Sequence, residues 1–217
     1  MSKDKGIKDL MRELHERRQR NTIYPNTAIK DKPIKAVTIA ELADIILQDL
    51  KKSINNYDAT NEHVSAIEEF LEQQTRNKGV MLQGNFGSGK TELLRAFSRL
   101  SQKVQNIKTF QMISAHDIVS GYEINGDVFL NSLNNRSIAI DDFGSEKVSF
   151  RYQKEDLLIR FVESRYNLRA SHNTHISTNL SSSEIEQRYG GRVASRMREL
   201  VKCVIVGGSA NSKDYRY

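Results

Sequence analysis

A glycine-rich segment constrains the fold of this chain more than any other feature. Gly84-Asn85-Phe86-Gly87-Ser88-Gly89-Lys90-Thr91 has the spacing G-x-x-x-x-G-K-[ST]. It follows the apolar run GVMLQ and precedes TELLRAFSRL, in which apolar residues recur at helical spacing. A strand, a glycine loop and a helix form the context in which this motif binds phosphate. The sequence therefore predicts a βα unit that holds a nucleotide.

The residue types in this segment suit a phosphate ligand. Glycine tolerates positive φ, so successive N–H groups can face one anion, and the N-terminus of the following helix adds partial positive charge. Lys90 would neutralise the β- and γ-phosphate oxygens, and the Thr91 hydroxyl would bind Mg²⁺. We expect ATP with Mg²⁺ as the ligand. The predicted contacts are Gly84, Asn85, Phe86, Gly87, Ser88, Gly89, Lys90, Thr91 and Glu92.

Two carboxylates close a second apolar run. Ser137 to Ile140 read as a strand, and Asp141-Asp142 follow directly. Because an unpaired buried charge is costly, a metal ion is the simplest reason for this pair. Asp141 would share Mg²⁺ with Thr91, and Asp142 would orient or deprotonate the attacking water. The alternative is that both acids cap the next helix.

The remaining pattern predicts an α/β fold. Further strands are expected at 109–113, 174–177 and 201–206, and helices are expected from the capping box Thr38-x-x-Glu41 and from 61 to 76. Five strands that alternate with helices indicate a sandwich around a mostly parallel sheet. Asn179 follows the strand THIST, so it would lie on the rim where the acids lie and reach the γ-phosphate or the water. Its alternative role is to form a turn.

Arginines cluster near the C-terminus. Arg188, Arg192 and Arg196 recur every fourth residue in EIEQRYGGRVASRMREL, although Gly190-Gly191 would interrupt a helix. An arginine presented to a neighbouring subunit's nucleotide stabilises the transition state of phosphoryl transfer. A solvated basic face is the alternative.

Charge divides the chain into an arm and a core. The net charge is +6, and residues 1–35 hold ten Lys/Arg against five Asp/Glu. Ile7, Leu10, Met11 and Leu14 have the spacing of an amphipathic helix, and both prolines, Pro25 and Pro33, lie in the segment that follows it. We expect residues 1–36 to be a basic partner-docking arm with a linker, and residues 37–217 to form the core. Nucleic acid or an acidic protein surface would suit the arm.

The location of the protein is predicted from segments that the sequence lacks. It has neither the apolar segment of a secretory signal nor a run long enough to cross a membrane, so a cytoplasmic protein is expected. The single cysteine, Cys203, lies in an apolar run and is interpreted as a small core residue.

Together these motifs resemble the AAA+ ATPases of the DnaC/IstB-like group, which are bacterial replicative helicase loaders and transposition helper ATPases. The resemblance runs from about Glu62 to the C-terminus through GNFGSGKTELLRAF, SIAIDDFGSE, THISTNLSSSEI and RYGGRVASRM. It implies a P-loop NTPase three-layer sandwich, an AAA+ core without a lid domain. By this similarity Asp141 and Asp142 are the Walker B pair and Asn179 is the sensor. The resemblance also implies arginine roles, namely a finger at Arg196, with Arg192 as second choice, and a nucleotide-facing Arg216.

The resemblance also implies a function. ATP would act as an assembly switch for a homo-oligomer that loads a replicative helicase and binds single-stranded DNA, with slow hydrolysis. Candidate DNA contacts are Lys147, Arg151, Tyr152, Arg165 and Tyr166. The alternatives are a helper that binds duplex DNA and recruits a transposase, a P-loop kinase for a small molecule, and a non-catalytic ATP-binding assembly module.

Overall fold

The computed structural model describes residues 38–54, 57–76, 78–104, 107–145, 157–168 and 174–207. The predicted arm at 1–36 lies outside these ranges, as do Lys147, Arg151, Tyr152 and Arg216. Within them, no helix combines the length and apolarity needed to cross a bilayer.

The centre of the core is a five-stranded sheet in which every pairing is parallel. The strands are β1 (Gly79–Gln83), β2 (Gln111–Ser114), β3 (Ile138–Phe143), β4 (Thr174–Thr178) and β5 (Val201–Ile205). Their order is β2-β3-β4-β1-β5, so β1 lies between β4 and β5. All strands therefore end at one rim, which is where an open parallel sheet binds ligands.

Helices cover both faces of the sheet. The described ranges hold α1 (Ile39–Ser53), α2 (Asn61–Thr75), α3 (Lys90–Ser101), α4 (Ala115–Asn125), α5 (Asp127–Asn134), α6 (Leu157–Asn167), α7 (Ser182–Tyr189) and α8 (Gly191–Leu200). The predicted capping box of Thr38 and Glu41 is present at the start of α1. Gly190, at φ 86°, separates α7 from α8, as the Gly-Gly pair predicts.

Successive side chains along each strand point to opposite faces of the sheet, and this produces two hydrophobic cores. Met81 faces the layer of α4 to α8, whereas Val80 and Leu82 face the layer of α1 to α3. In β3, Ile138 and Ile140 join the first core and Ala139 joins the second. This is the period-two pattern of strands that are buried on both faces. The predicted three-layer α/β sandwich is confirmed, and the sheet is parallel throughout.

Arg165 is a buried structural residue, so its prediction as a DNA contact is wrong. Its side chain is on α6, and the residue is 1% exposed. The guanidinium donates to Thr174 Oγ1 at 2.7 Å, and to the carbonyls of Leu133 at 3.1 Å and Arg136 at 3.2 Å. It therefore satisfies carbonyls at the C-terminal end of α5, where a cation is favourable. Burial lowers the pKa of Arg165 to about 10.

The side chain of Cys203 differs from its predicted placement. It is only half-buried, and its thiol lies 3.2 Å from Gln83 Oε1. Burial raises the pKa of this thiol. Cys203 therefore packs against the edge of the core rather than inside it.

Candidate functional site

The glycine-rich loop connects β1 to α3 at the rim of the sheet. Gly87 and Gly89 have φ of 74° and 86°, which L side chains rarely adopt. At Gly84 a Cβ would lie 1.7 Å from the carbonyl oxygen of Val206, because the residue that follows β5 lies directly beside the loop. Within the described ranges, no acceptor takes the N–H groups of Gly87 and Gly89. These donors and the start of α3 form a cradle suited to an anion.

Lys90 places its charge inside this loop. The residue is buried, and Nζ donates to the carbonyls of Gly84 at 2.9 Å and Asn85 at 2.6 Å. It also lies 3.2 Å from Ser88 Oγ. All three acceptors are neutral, so a phosphate oxygen would make a stronger, charge-assisted bond with the same ammonium.

Asp141 and Thr91 meet across two different βα units. The Thr91 hydroxyl donates to Asp141 Oδ1 at 3.0 Å. The same carboxylate oxygen accepts a hydrogen bond from Ser177 at the end of β4. A Mg²⁺ site shared by Thr91 and Asp141 requires this convergence, which joins residues 50 positions apart in the chain.

A β-bulge in β3 places the two acids opposite a single residue of β4. Ile140 pairs with Ile176 and Phe143 pairs with Thr178, so Asp141 and Asp142 together oppose Ser177. The Ser177 hydroxyl accepts from the Asp142 N–H at 2.9 Å while it donates to Asp141. Bulges of this kind redirect side chains next to active sites. Sequence reasoning missed Ser177, for which the only signal was a polar residue at a strand end.

Asp142 has an unusual backbone and a perturbed carboxyl. Its φ of 54° makes it the only non-glycine residue in the described ranges with positive φ. Partial burial of the carboxyl and the negative charge of Asp141 raise the pKa of Asp142, and Lys90 opposes this. A carboxyl with a raised pKa accepts a proton more readily than an ordinary aspartate, which suits a group that receives a proton from water.

The remaining predicted nucleotide contacts lie around the loop. Asn179 directly follows β4 and is half-buried at the rim, and its side chain has no hydrogen-bond partner in the described ranges. Phe86 is 70% exposed at the tip of the loop. Glu92, in the first turn of α3, forms an ion pair with Arg95. One oxygen of the Glu92 carboxylate is therefore already paired with a guanidinium.

The two candidate finger arginines differ in the exposure of their side chains. Arg196 forms an ion pair with Glu163, its guanidinium lies 5.1 Å from the centre of the Tyr166 ring, and its side chain is 16% exposed. Arg192 reaches the same Glu163 at 3.3 Å, but its side chain is 75% exposed. The Tyr166 hydroxyl donates to Glu199 at 3.0 Å, so the predicted DNA contact Tyr166 belongs to this side-chain cluster.

The residues present fit Mg²⁺ only together with a phosphate ligand. Within the described ranges, no group of three His, Cys, Asp or Glu side chains converges to hold a metal. Thr91 Oγ1 and Asp141 Oδ1 supply a hydroxyl and a carboxylate at one point, and Mg²⁺ in nucleotide sites takes its other ligands from phosphate and water. Oxygen donors of this type suit a hard cation.

The strand order, the phosphate loop after β1 and the two acids within β3 define a P-loop NTPase fold of the AAA+ type. No protein-family model matches the chain, and no curated protein matches it. Among solved structures, the DnaC helicase loader is similar with a TM-score of 0.58 and 22% identity, over 73% of this chain and 99% of that one.

Two DnaA structures are also similar. DnaA from Aquifex aeolicus bound to AMPPCP has a TM-score of 0.51 and 21% identity, over 70% of this chain and 48% of that chain. DnaA bound to AMPPCP and single-stranded DNA has a TM-score of 0.51 and 20% identity, over 72% of this chain and 50% of that chain. The chain thus spans about half the length of these DnaA chains. These similarities show that the chain has the AAA+ fold of DnaC and DnaA.

Proposed function

We propose that this protein binds and hydrolyses ATP with Mg²⁺ and uses the nucleotide as an assembly switch when it loads a replicative helicase. The observation that carries the proposal is the contact of Thr91 with Asp141 at 3.0 Å, beside a buried Lys90. It brings together a lysine for phosphate, a hydroxyl and carboxylate for Mg²⁺, and a second acid for water. These are the parts that phosphoryl transfer requires.

In this mechanism each side chain acts on a different part of the triphosphate. The loop N–H groups and Lys90 bind the β- and γ-phosphates, and Thr91 and Asp141 hold the Mg²⁺, which neutralises charge on the phosphate oxygens. Asp142 orients the attacking water and accepts its proton, and Asn179 contacts the γ-phosphate or the same water. An arginine from a neighbouring copy completes the site, so hydrolysis is slow until copies assemble.

The loader role is supported by likeness of fold. The matched DnaC chain is a helicase loader, and this chain covers 99% of it. One matched DnaA chain holds single-stranded DNA. We propose the same kind of DNA ligand here, and a cytoplasmic location. The basic segment 1–36 is the proposed docking arm for the helicase.

The nucleotide part of the proposal is tested by Lys90→Ala. Removal of the ammonium should weaken ATP binding at least about tenfold, since a hydrogen bond to a charged group contributes about 1.5–3 kcal/mol. Lys202→Ala, which removes an exposed lysine on β5, is the matched control and should bind as the unmodified protein does. Isothermal titration with ATP and Mg²⁺ measures both. Equal affinities for the two variants would contradict the assignment.

The partner part is tested by co-purification. Full-length protein should retain a replicative helicase in the presence of ATP, and deletion of residues 1–20 should abolish this. Assembly on duplex DNA with a transposase, without affinity for a helicase, would favour the transposition helper. Transfer of phosphate to a metabolite in place of water would favour a kinase.

A further inference from the structure

Ser88, at the centre of the phosphate loop, is held from several sides. It is buried, its carbonyl oxygen lies 2.9 Å from His63 Nε2, and its hydroxyl lies near Lys90 Nζ. On another side, a Cβ placed on Gly207 would lie 2.2 Å from Ser88 Cβ, so the segment that follows β5 packs directly against Ser88. The N–H of Gly207 in turn donates to Glu62, the neighbour of His63 on α2. The first turn of α2 thus holds both the phosphate loop and the segment that follows β5.

The hydrogen bonds of His63 define its tautomer. Nδ1 accepts the Thr60 N–H at 3.3 Å as part of the capping box of α2. Since this ring nitrogen is an acceptor, the proton of the neutral imidazole is on Nε2. Nε2 therefore donates to the Ser88 carbonyl. A buried residue of a helix cap thus makes a directional bond to the phosphate loop, over a separation of 25 residues.

The hydrogen bond between His63 and the Ser88 carbonyl also fixes the direction of the Gly89 N–H, which His63 does not contact. A trans peptide is planar, so the carbonyl of Ser88 and the N–H of Gly89 point in opposite directions. With the carbonyl turned toward α2, the Gly89 N–H points away from α2. Within the described ranges this N–H has no acceptor. Gly89 at φ 86° could otherwise rotate this peptide at little cost, because glycine has broad conformational freedom.

We propose that His63 is a positioning residue of the nucleotide site, which aims the Gly89 N–H at the bound phosphate by holding the Ser88 carbonyl. The inference rests on the proposed nucleotide site and adds a residue to it. His63 contacts neither nucleotide nor metal in this scheme. Its effect is on phosphate affinity rather than on proton transfer.

The test compares substitutions that separate the loop bond from the helix cap. In His63→Gln, the amide oxygen can accept from Thr60 and the amide nitrogen can donate to Ser88. In His63→Asn, the side chain is too short to reach Ser88. We expect the Asn variant to bind ADP about tenfold more weakly, the scale of one lost hydrogen bond, and the Gln variant to restore affinity to within about threefold. Titration calorimetry with ADP and Mg²⁺ on the full chain is the measurement.

Thr60→Ala is the matched control, because it removes the cap hydroxyl of the same helix and leaves the Ser88 contact in place. It should lower the melting temperature without the tenfold loss of affinity. Equal ADP affinity in the Asn variant and the unmodified protein would overturn the inference, as would an equal loss in Thr60→Ala. If the unmodified protein bound no nucleotide, the proposed function itself would fail. Binding that Lys90→Ala abolishes and His63→Asn leaves intact would refute only the role of His63.

Discussion

At the scale of single residues, the two adjacent acids have different surroundings. Asp141 accepts hydrogen bonds from Thr91 and Ser177, so its carboxylate is held in place. Asp142 adopts a left-handed backbone and has a raised pKa. Strained backbone of this kind persists where the surroundings determine it, and it is frequent at functional sites. This asymmetry fits the roles proposed for them, a fixed Mg²⁺ ligand and a base that activates water.

Asp142→Asn should eliminate ATP turnover while it retains ATP binding and raises stability at neutral pH. Because the folded state raises the pKa of Asp142, this group contributes stability below its unfolded pKa, and that stability is lost as pH rises through the folded pKa. The charged form therefore costs stability at neutral pH, and asparagine removes the cost.

The measurements are single-turnover hydrolysis on DNA-bound protein and the melting temperature at two pH values. The gain in melting temperature should shrink as pH falls toward about 4, the ordinary range of a carboxyl group. Unchanged turnover in the Asn variant would favour a different base. A gain that persisted at low pH would show that the charge of Asp142 is not its source.

The residues of the proposed site could be named from the sequence more readily than their contacts could. The motif positions Lys90, Thr91 and Asp141 could be named because their spacing carries the chemistry. Ser177 and His63 could not, because each acts through a partner 25 or more residues away, and no local pattern records such a pair. The proposed roles of Asn179 and the arginines stay predictions.

At the scale of helices and strands, Arg165 links three elements. It extends from α6 to the C-terminal carbonyls of α5 and to Thr174 at the start of β4. Charge and position on the sequence suggested a surface residue, because a single arginine on a helix gives no sign of its burial. Strand positions were predicted to within a few residues, and β3 continues through both acids because the bulge keeps it paired.

Arg165→Met should destabilise the fold by about 3 kcal/mol, because it leaves several buried acceptors without a donor. For a domain of this size, that lowers the melting temperature by roughly 6–12 °C. The matched control is Arg160→Met on the same helix, where the guanidinium is partly exposed and bonds to Tyr122 and Asp127. That change should cost no more than about 1 kcal/mol. Equal shifts in thermal unfolding for the two variants would contradict the structural role of Arg165.

At the scale of the whole molecule, buried histidines link stability to pH. His175 on β4 contacts the rings of Phe70 and Phe110, and its Nδ1 accepts the Val80 N–H at 3.2 Å. Burial, and then the charge of Arg165, lower the pKa of His175 to about 3. Burial also lowers the pKa of His63. Both imidazoles are therefore neutral in the folded protein, while the unfolded chain protonates them at about pH 6.5.

The free energy of unfolding should fall as pH is lowered from about 6.5, by up to about 1.4 kcal/mol per pH unit for His175 alone. The free energy of unfolding falls because the unfolded state binds a proton that the folded state does not. His175→Asn keeps an acceptor for Val80 and removes the titrating group, so its urea-unfolding free energy should vary less steeply with pH. Parallel pH profiles for the variant and the unmodified protein would contradict this.

The bulge between β3 and β4 has a consequence for anyone who designs or transplants this centre. The placement of Asp141 and Asp142 depends on Ser177, which belongs to a different segment of the chain. Copying only the phosphate loop and β3 into another scaffold would therefore transfer the residues of the motif but not the positions of the two carboxylates. A host therefore also needs a hydroxyl at the matching point of the adjacent strand.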